Sequence, residues 1–323
     1  MSTTPLIDRP FVLPITGSRP TTEPATVSRS HLDALEAEAI FLFREVVAEF
    51  ERPVLLYSVG KDSSVLLRLA KKAFAPGRLP FPLLHVDTGF KHPEMLAFRD
   101  RIARSEGVEL IVHRNEEAIA SGVNPWESGC GACCAQLKTK ALLDALTEGR
   151  FDAAFGGARR DEEKSRAKER VLSFRDRHGR WEPRNQRPEL WSVFNTRIHP
   201  GESVRAFPLS NWTEADVWEY VDREDIPVAP LYFAARRPVV ELDGRLLPAT
   251  GAPPDHELPV LERRTRFRSL GCGPCTGVVE SGASSLAELR AELQASRSSE
   301  RAGRLIDHEN DDAMERKKRD GYF

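Results

Sequence analysis

The run Val54-Leu55-Leu56-Tyr57-Ser58-Val59-Gly60-Lys61-Asp62-Ser63-Ser64-Val65-Leu66 constrains this chain more than any other stretch. Apolar residues from Val54 to Tyr57 break into a short Ser/Gly/Lys/Asp/Ser loop, and an apolar-periodic segment (Val65, Leu66, Leu69, Ala70) comes at once after it. That order reads as strand, tight turn and helix N-terminus, with the first helical N–H groups turned toward an anion. Gly60 lets the backbone approach a phosphate closely, Ser58, Ser63 and Ser64 add hydroxyls, and Lys61 adds a mobile positive charge. The predicted ligand is a nucleotide polyphosphate. An ordinary strand-to-helix turn rich in capping residues is the competing reading of this stretch alone.

The loop lacks the G-x-x-x-x-G-K-[ST] spacing of a Walker A motif. It resembles the S-x-G-x-D-S pyrophosphate loop of enzymes that split ATP between its α and β phosphates. At 323 residues, 40% hydrophobic and 30% charged, the chain fits one large soluble domain or one domain with a smaller appendage. A formal net charge of −2 argues against a general nucleic-acid binder, which needs a strong basic excess. No apolar run approaches a membrane span, and no basic segment followed by an apolar stretch opens the chain. The expectation is a cytoplasmic protein with no membrane partner.

Residues 1–28 are rich in Pro and Thr and read as a mobile N-terminal arm. From Ser30 to Phe50 the apolar spacing predicts an amphipathic helix. Further strands are predicted at 81–86, 110–112, 151–155 and 204–207, with helices at 93–106, at 138–148 and from Thr213 onward. Short strands alternating with longer helices give an α/β chain with a doubly wound, mostly parallel sheet over residues 29–235. Residues 236–262 read as a long loop or irregular hairpin, opening a C-terminal extension (236–323) that ends in a charge-dense tail from Ser296. Ligands of such sheets bind beyond the strand C-termini. Ser58–Ser64, Asp87-Thr88-Gly89 and Gly156-Gly157-Ala158-Arg159-Arg160 all fall at predicted strand ends, where one ligand touches all three.

Three segments make a family resemblance specific: His85-Val86-Asp87-Thr88-Gly89-Phe90, the run from Phe151 to Arg170 through Gly-Gly-Ala-Arg-Arg-Asp-Glu-Glu-Lys-Ser-Arg-Ala-Lys, and Phe207-Pro208-Leu209-Ser210-Asn211-Trp212-Thr213-Glu214. With the Gly-Tyr-Phe terminus, the chain from about residue 30 resembles the small, nucleotide-binding subunits of bacterial sulfate adenylyltransferases. The resemblance implies the adenine-nucleotide α-hydrolase-like (PP-loop ATP pyrophosphatase) fold. It also implies the reaction of ATP with sulfate to give adenosine 5′-phosphosulfate and pyrophosphate, driven by a GTPase large subunit. Attack of sulfate on the α-phosphorus gathers anions, so the site must neutralise charge and hold the leaving group. Ser58, Val59, Gly60, Lys61, Asp62, Ser63 and Ser64 are then the pyrophosphate cradle with Mg²⁺ as counter-ion, Asp62 bracing the loop or assisting the metal. Asp87, Thr88 and Gly157 line the nucleotide, while Arg159, Arg160, Lys164, Arg166 and Lys168 supply donors for sulfate and phosphate. Of these, Lys61, Asp62, Arg159, Arg160 and Arg166 are the catalytic candidates.

The five cysteines do not all fit that pattern: Cys272 belongs to it, whereas a cysteine at 275 departs from it. Cys130, Cys133 and Cys134 share one predicted loop, and Cys272 and Cys275 form a C-x-x-C pair far downstream. The set Cys133-Cys134 with Cys272-x-x-Cys275 resembles the iron–sulfur motif of adenylylsulfate reductases. That resemblance implies a [4Fe–4S] cluster on those four thiolates, with Cys130 a spare ligand or reactive thiol. A Zn²⁺ ion and five unrelated thiols are the other readings. No cysteine follows Cys275, so the C-terminal catalytic cysteine of such reductases is missing and reductase activity is not expected. Two further hypotheses stand beside the adenylyltransferase: an iron–sulfur-dependent PP-loop sulfurtransferase that adenylates and thiolates an organic or tRNA substrate, and a regulatory subunit that senses redox state.

Overall fold

The computed structural model describes residues 30–242, 244–295 and 319–321, with the side chains of Lys164, Ser165 and Ser192 left aside. The expected N-terminal arm and nearly all of the expected charged tail lie outside the described residues.

Helix α1 (His31–Glu49) starts in a reciprocal cap, in which Ser30 Oγ accepts from Asp33 N–H at 3.2 Å and the Asp33 carboxylate accepts from Ser30 N–H at 3.3 Å. The chain then alternates β1 (Pro53–Leu56), α2 (Lys61–Phe74), β2 (Leu83–Val86), α3 (Pro93–Glu106) and β3 (Leu110–His113). Two short helices, α4 (Glu116–Ala120) and α5 (Pro125–Cys134), run through a π-helical turn at Ala135–Lys140 into α6 (Ala141–Glu148). Strands β4 (Ala153–Phe155), β5 (Leu172–Arg175) and β6 (Ser203–Ala206) and helix α7 (Glu214–Arg223) complete this layer.

The six strands lie in the order β3-β2-β1-β4-β6-β5, and only β5 runs antiparallel to its neighbour. Helices on both faces explain why β1 is buried at every position and reads as an unbroken apolar run. Burying each Val or Leu of such a strand is worth about 1.5–3 kcal/mol. Phe43 of α1 packs on Phe155 of β4 with ring centres 4.4 Å apart, and Phe81 meets the same ring at 5.1 Å. The chain leaves β1 for β2 on one side and returns to β4 on the other, so a crevice opens between their C-terminal ends.

Of the two readings of residues 236–262, the hairpin holds and the loop does not: Val239 to Leu242 pairs antiparallel with Arg245 to Pro248. Together with the segment up to Glu280 they build an antiparallel sheet of β7 (Ala235–Leu242), β8 (Arg245–Pro248), β9 (Leu261–Arg266) and β10 (Val279–Glu280), in the order β10-β9-β7-β8. Helix α8 (Leu286–Ala295) comes after it. Exposed arginines and glutamates mask the strand alternation, while Val239 is buried in the main core on one face of the sheet and Val240 with Leu247 in a smaller apolar cluster on the other. The segment holding Cys130, Cys133 and Cys134, expected as a loop, is helical apart from a break at Gly129, which sits at φ 78°. Among the described residues, no helix is long and apolar enough to cross a membrane.

Candidate active site

The loop after β1 is held by contacts from distant parts of the chain. Val59 sits at φ 68°, a left-handed conformation that a β-branched residue adopts only under constraint. The Tyr232 hydroxyl accepts the Lys61 N–H at 2.9 Å, and Ser63 Oγ donates to the Gly60 carbonyl at 2.9 Å. Gly60 caps α2 with no side chain of its own. Lys61 is fully buried and its Nζ donates to Asp62 Oδ2 at 3.1 Å, while Arg159 Nε donates to Asp62 Oδ1 at 2.8 Å. Burial pulls the Asp62 carboxyl upward, but Lys61 and Arg159 outweigh it and hold the group below the usual carboxylate range. Gly157, at the end of β4, lies so close that a Cβ there would stand 2.9 Å from Asp62 Cβ.

These elements frame an open cleft of about 930 Å³, its solvent mouth included, at the crevice between β1 and β4. Ser58, Asp62, Ser63, Gly157, Ala158 and Arg166 line it, together with Lys91, Lys138 and Glu162. Leu56, Leu84, Val86 and Leu142 form an apolar wall. His85 is buried at its floor with Nδ1 2.8 Å from the Tyr57 carbonyl, so Nδ1 carries the proton. Burial, then the charge of Lys91, pushes its pKa down to about 4.

Other predicted residues sit elsewhere. Ser64 faces a separate cavity behind α2, beside Tyr57, Lys71 and Glu106. Arg159 lies behind the loop as the brace of Asp62, and Arg160 donates to Asn211 Oδ1. Asp87 Oδ1 accepts the Gly89 N–H at 2.9 Å, folding the turn after β2, and Thr88 is buried with Oγ1 3.1 Å from Cys272 Sγ. Lys91, Lys138, His85 and Tyr232 are additions to the residues expected from the sequence. Lys91 comes after the Asp-Thr-Gly turn closely enough to be noticed, but the link from Lys61 to Tyr232, 171 residues on, carries no local signal.

All five cysteines gather beside the Thr88 turn. Cys272 pairs with Lys91 in an isolated bridge, and the Gly273 N–H donates to the Phe90 carbonyl at 2.8 Å. Burial, then Cys134 and Cys272, raises the Cys133 thiol to about 12. The expected quartet of Cys133, Cys134, Cys272 and Cys275 departs from what is found. Cys275 is joined to Cys130 in a disulfide with Cα atoms 6.2 Å apart, leaving Cys133, Cys134 and Cys272 as thiols outside any disulfide. The reason is geometric: α5 carries Cys130 directly onto the short turn of Cys275, within disulfide reach. Among the described residues, no three His, Cys, Asp or Glu side chains are grouped to hold one metal ion. A disulfide sulfur is not a thiolate, so the four expected ligands fit a cluster only after that bond is reduced.

Residues 52–278 match the model of the phosphoadenosine phosphosulfate reductase domain family. The chain is 58% identical over 300 residues to "Sulfate adenylyltransferase subunit 2" of Methylococcus capsulatus, covering 91% of this chain and 98% of that one. It is 60% identical over 312 residues to "Sulfate adenylyltransferase subunit 2 1" of Alkalilimnicola ehrlichii, covering 95% and 97%. Among solved structures, a phosphoadenylyl-sulfate reductase from Candida auris aligns at 19% identity with a TM-score of 0.44, over 64% of this chain and 91% of that one. With such identity over nearly the whole length of both proteins, the chain belongs to the sulfate adenylyltransferase subunit 2 family, within the phosphoadenosine phosphosulfate reductase domain proteins.

Proposed function

We propose that the protein is a cytoplasmic sulfate adenylyltransferase subunit that joins AMP from ATP to sulfate. A sulfate oxygen attacks the α-phosphorus, the new O–P bond forms, and the bond to the β-phosphate oxygen breaks to release pyrophosphate. No proton transfer is needed, because both nucleophile and leaving group are anions. The carrying observation is that Ser58, Ser63, Gly157 and Arg166 converge on one cleft with Lys91 and Lys138 around it. In this reading Ser58 to Ser63 hold the pyrophosphate, the Leu56, Leu84 and Val86 wall takes the adenine, and Arg166 meets the incoming oxyanion. Mg²⁺ accompanies ATP as counter-ion. Asp62 is the loop's brace rather than a metal ligand, since both its oxygens already accept from cations.

The relatives' designation as subunit 2 supports assembly with a large subunit, and this reading makes that subunit the GTPase whose hydrolysis drives the uphill adenylation. It also places a [4Fe–4S] cluster on Cys133, Cys134, Cys272 and Cys275 in the reduced protein, where it staples α5 to the Cys272 turn and takes no part in adenyl transfer. The test is sulfate-dependent pyrophosphate release from ATP by the two-subunit complex, raised by GTP. Release that ignores sulfate and is lost in Cys130→Ala replaces this reading with a sulfurtransferase.

A further inference from the structure

Arg166 is the front member of a buried set of arginines. It is 4% exposed, lines the cleft, and its Nε lies 3.4 Å from Glu162 Oε2, yet neither Nε nor Nη1 has a hydrogen-bond partner. Behind it stand Arg175 of β5 and Arg205 of β6, both 1% exposed. The register pairs Ser173 with Arg205 and Arg175 with Ser203, so Ser173, Arg175 and Arg205 project from the same face of the sheet. Glu169 lies among them: its Oε1 accepts from Arg175 Nη2 at 2.8 Å and from Ser173 Oγ at 2.9 Å. Arg175 Nε and Nη1 and Arg205 Nε are buried without a hydrogen-bond partner.

Within this set of five side chains, three guanidinium groups face two carboxylates, Glu162 and Glu169, an excess of one positive charge. An uncompensated buried cation is costly, and an isolated one is normally eliminated or paired. Burial, then repulsion from Arg175, brings Arg205 down to about 9. Arg166 in turn repels Arg175. A tetrahedral dianion seated against Arg166 supplies the missing counter-charge to the set and the missing acceptors to Arg166 itself. Planar guanidinium forks suit it better than ammonium groups.

On the adenylyltransferase reading, we propose that Arg166 holds the acceptor oxyanion, with Arg175 and Arg205 as positioning residues whose buried charge selects a dianion. Arg166 touches the anion, whereas the other two act through it and through the field.

The test compares the wild-type and Arg205→Met complexes, each assayed with the large subunit. Met fills much of the arginine volume without its charge. The sulfate KM is expected to rise roughly tenfold, the ATP KM to stay within about twofold, and inhibition by monovalent perchlorate to weaken only about threefold, because a monoanion loses half the interaction energy in the same field. Arg205→Lys, which keeps the charge, is expected to restore most of the sulfate affinity. An unchanged sulfate KM, or equal rises for ATP and sulfate, overturns the inference. Wild-type crystals with sulfate and α,β-methylene-ATP give an arm independent of the variant's folding: sulfate is expected within hydrogen-bond reach of Arg166, and a sulfate bound elsewhere overturns the inference too. Wild-type complex that releases no pyrophosphate with sulfate fails the adenylyltransferase reading itself. Normal wild-type turnover with an insensitive Arg205→Met sinks only the subsite.

Discussion

Arg159 Nε and Asp62 Oδ1 meet at 2.8 Å across the gap between the β4 turn and the first turn of α2, tying together the two loops that frame the cleft. The Arg159 side chain is wholly buried, whereas that of Asp62 is 23% exposed, so the arginine depends on this partner more than the aspartate does. Asp62→Asn keeps the shape and removes the charge that Arg159 and Lys61 both face. Arg159 keeps Asp161 Oδ2 at 3.7 Å from its Nη1, so losing the charged acceptor Asp62 is expected to cost about 1–3 kcal/mol, and loss of loop preorganisation to lower turnover on the order of 10²-fold. Denaturant unfolding together with steady-state pyrophosphate release checks both. A variant within about 1 kcal/mol of wild type removes the brace.

Gly157→Ala is a purely steric counterpart. Its new Cβ would lie 2.9 Å from Asp62 Cβ and 3.4 Å from the Asp62 carbonyl carbon, so the loop must move. The expected outcome is ATP affinity weakened by roughly tenfold or more, with overall stability falling by about 1–3 kcal/mol as in other overpacked sites. Titration with a non-hydrolysable ATP analogue decides it, and unchanged affinity shows that the close approach is incidental.

Stability in acid separates into two windows. His85, buried and lowered to about 4, resists protonation in the folded state, whereas the unfolded imidazole titrates near 6.5. The unfolded chain therefore binds more protons between those values. The His85 contribution is complete above about pH 6.5 and drains away as pH falls toward 4, a loss of about 3 kcal/mol. Asp62 has the opposite polarity but the same sense: its carboxyl is lowered, so its stabilisation is present above the unfolded value near 3.9 and disappears only below that. Unfolding free energies from pH 7 to 3 on wild type and His85→Gln are expected to differ in slope between 6.5 and 4. Parallel curves across that window remove His85 as the source.

Much of this arrangement is legible in the sequence because local and global signals coincide. Val54 to Leu66 spells strand, turn and helix through apolar periodicity alone, and three polar strand-end signatures mark where a parallel sheet opens. What fails to show has a common physical origin. Strand β5 is flanked by Arg170, Asp176 and Arg177, and its outer edge is covered by side chains: the Glu189 carboxylate accepts from the Val171 and Leu172 N–H groups, and Gln186 bonds both the N–H and the carbonyl of Phe174. Such edge protection leaves no periodic trace. Nothing in the local sequence marks Arg175 and Arg205 as buried, since spacing alone does not reveal a buried charge that is only partly compensated by other buried charges. The same blindness hides Tyr232 behind the pyrophosphate loop.

The cysteines separate by a contrast between two substitutions. Cys130 and Cys275 share one disulfide across 145 residues of sequence, so removing either breaks the same bond and releases the same loop. As cluster ligands they are not equivalent, because only Cys275 belongs to the four-thiolate set. Purified anaerobically from reducing conditions, the wild type and Cys130→Ser proteins are expected to hold about four iron atoms per chain with thiolate-to-iron absorbance. Cys275→Ser is expected to fall to background iron and to melt at a lower temperature. Equal melting losses for the two variants, with iron and zinc absent from the wild type, assign the site to a disulfide staple and dismiss the cluster.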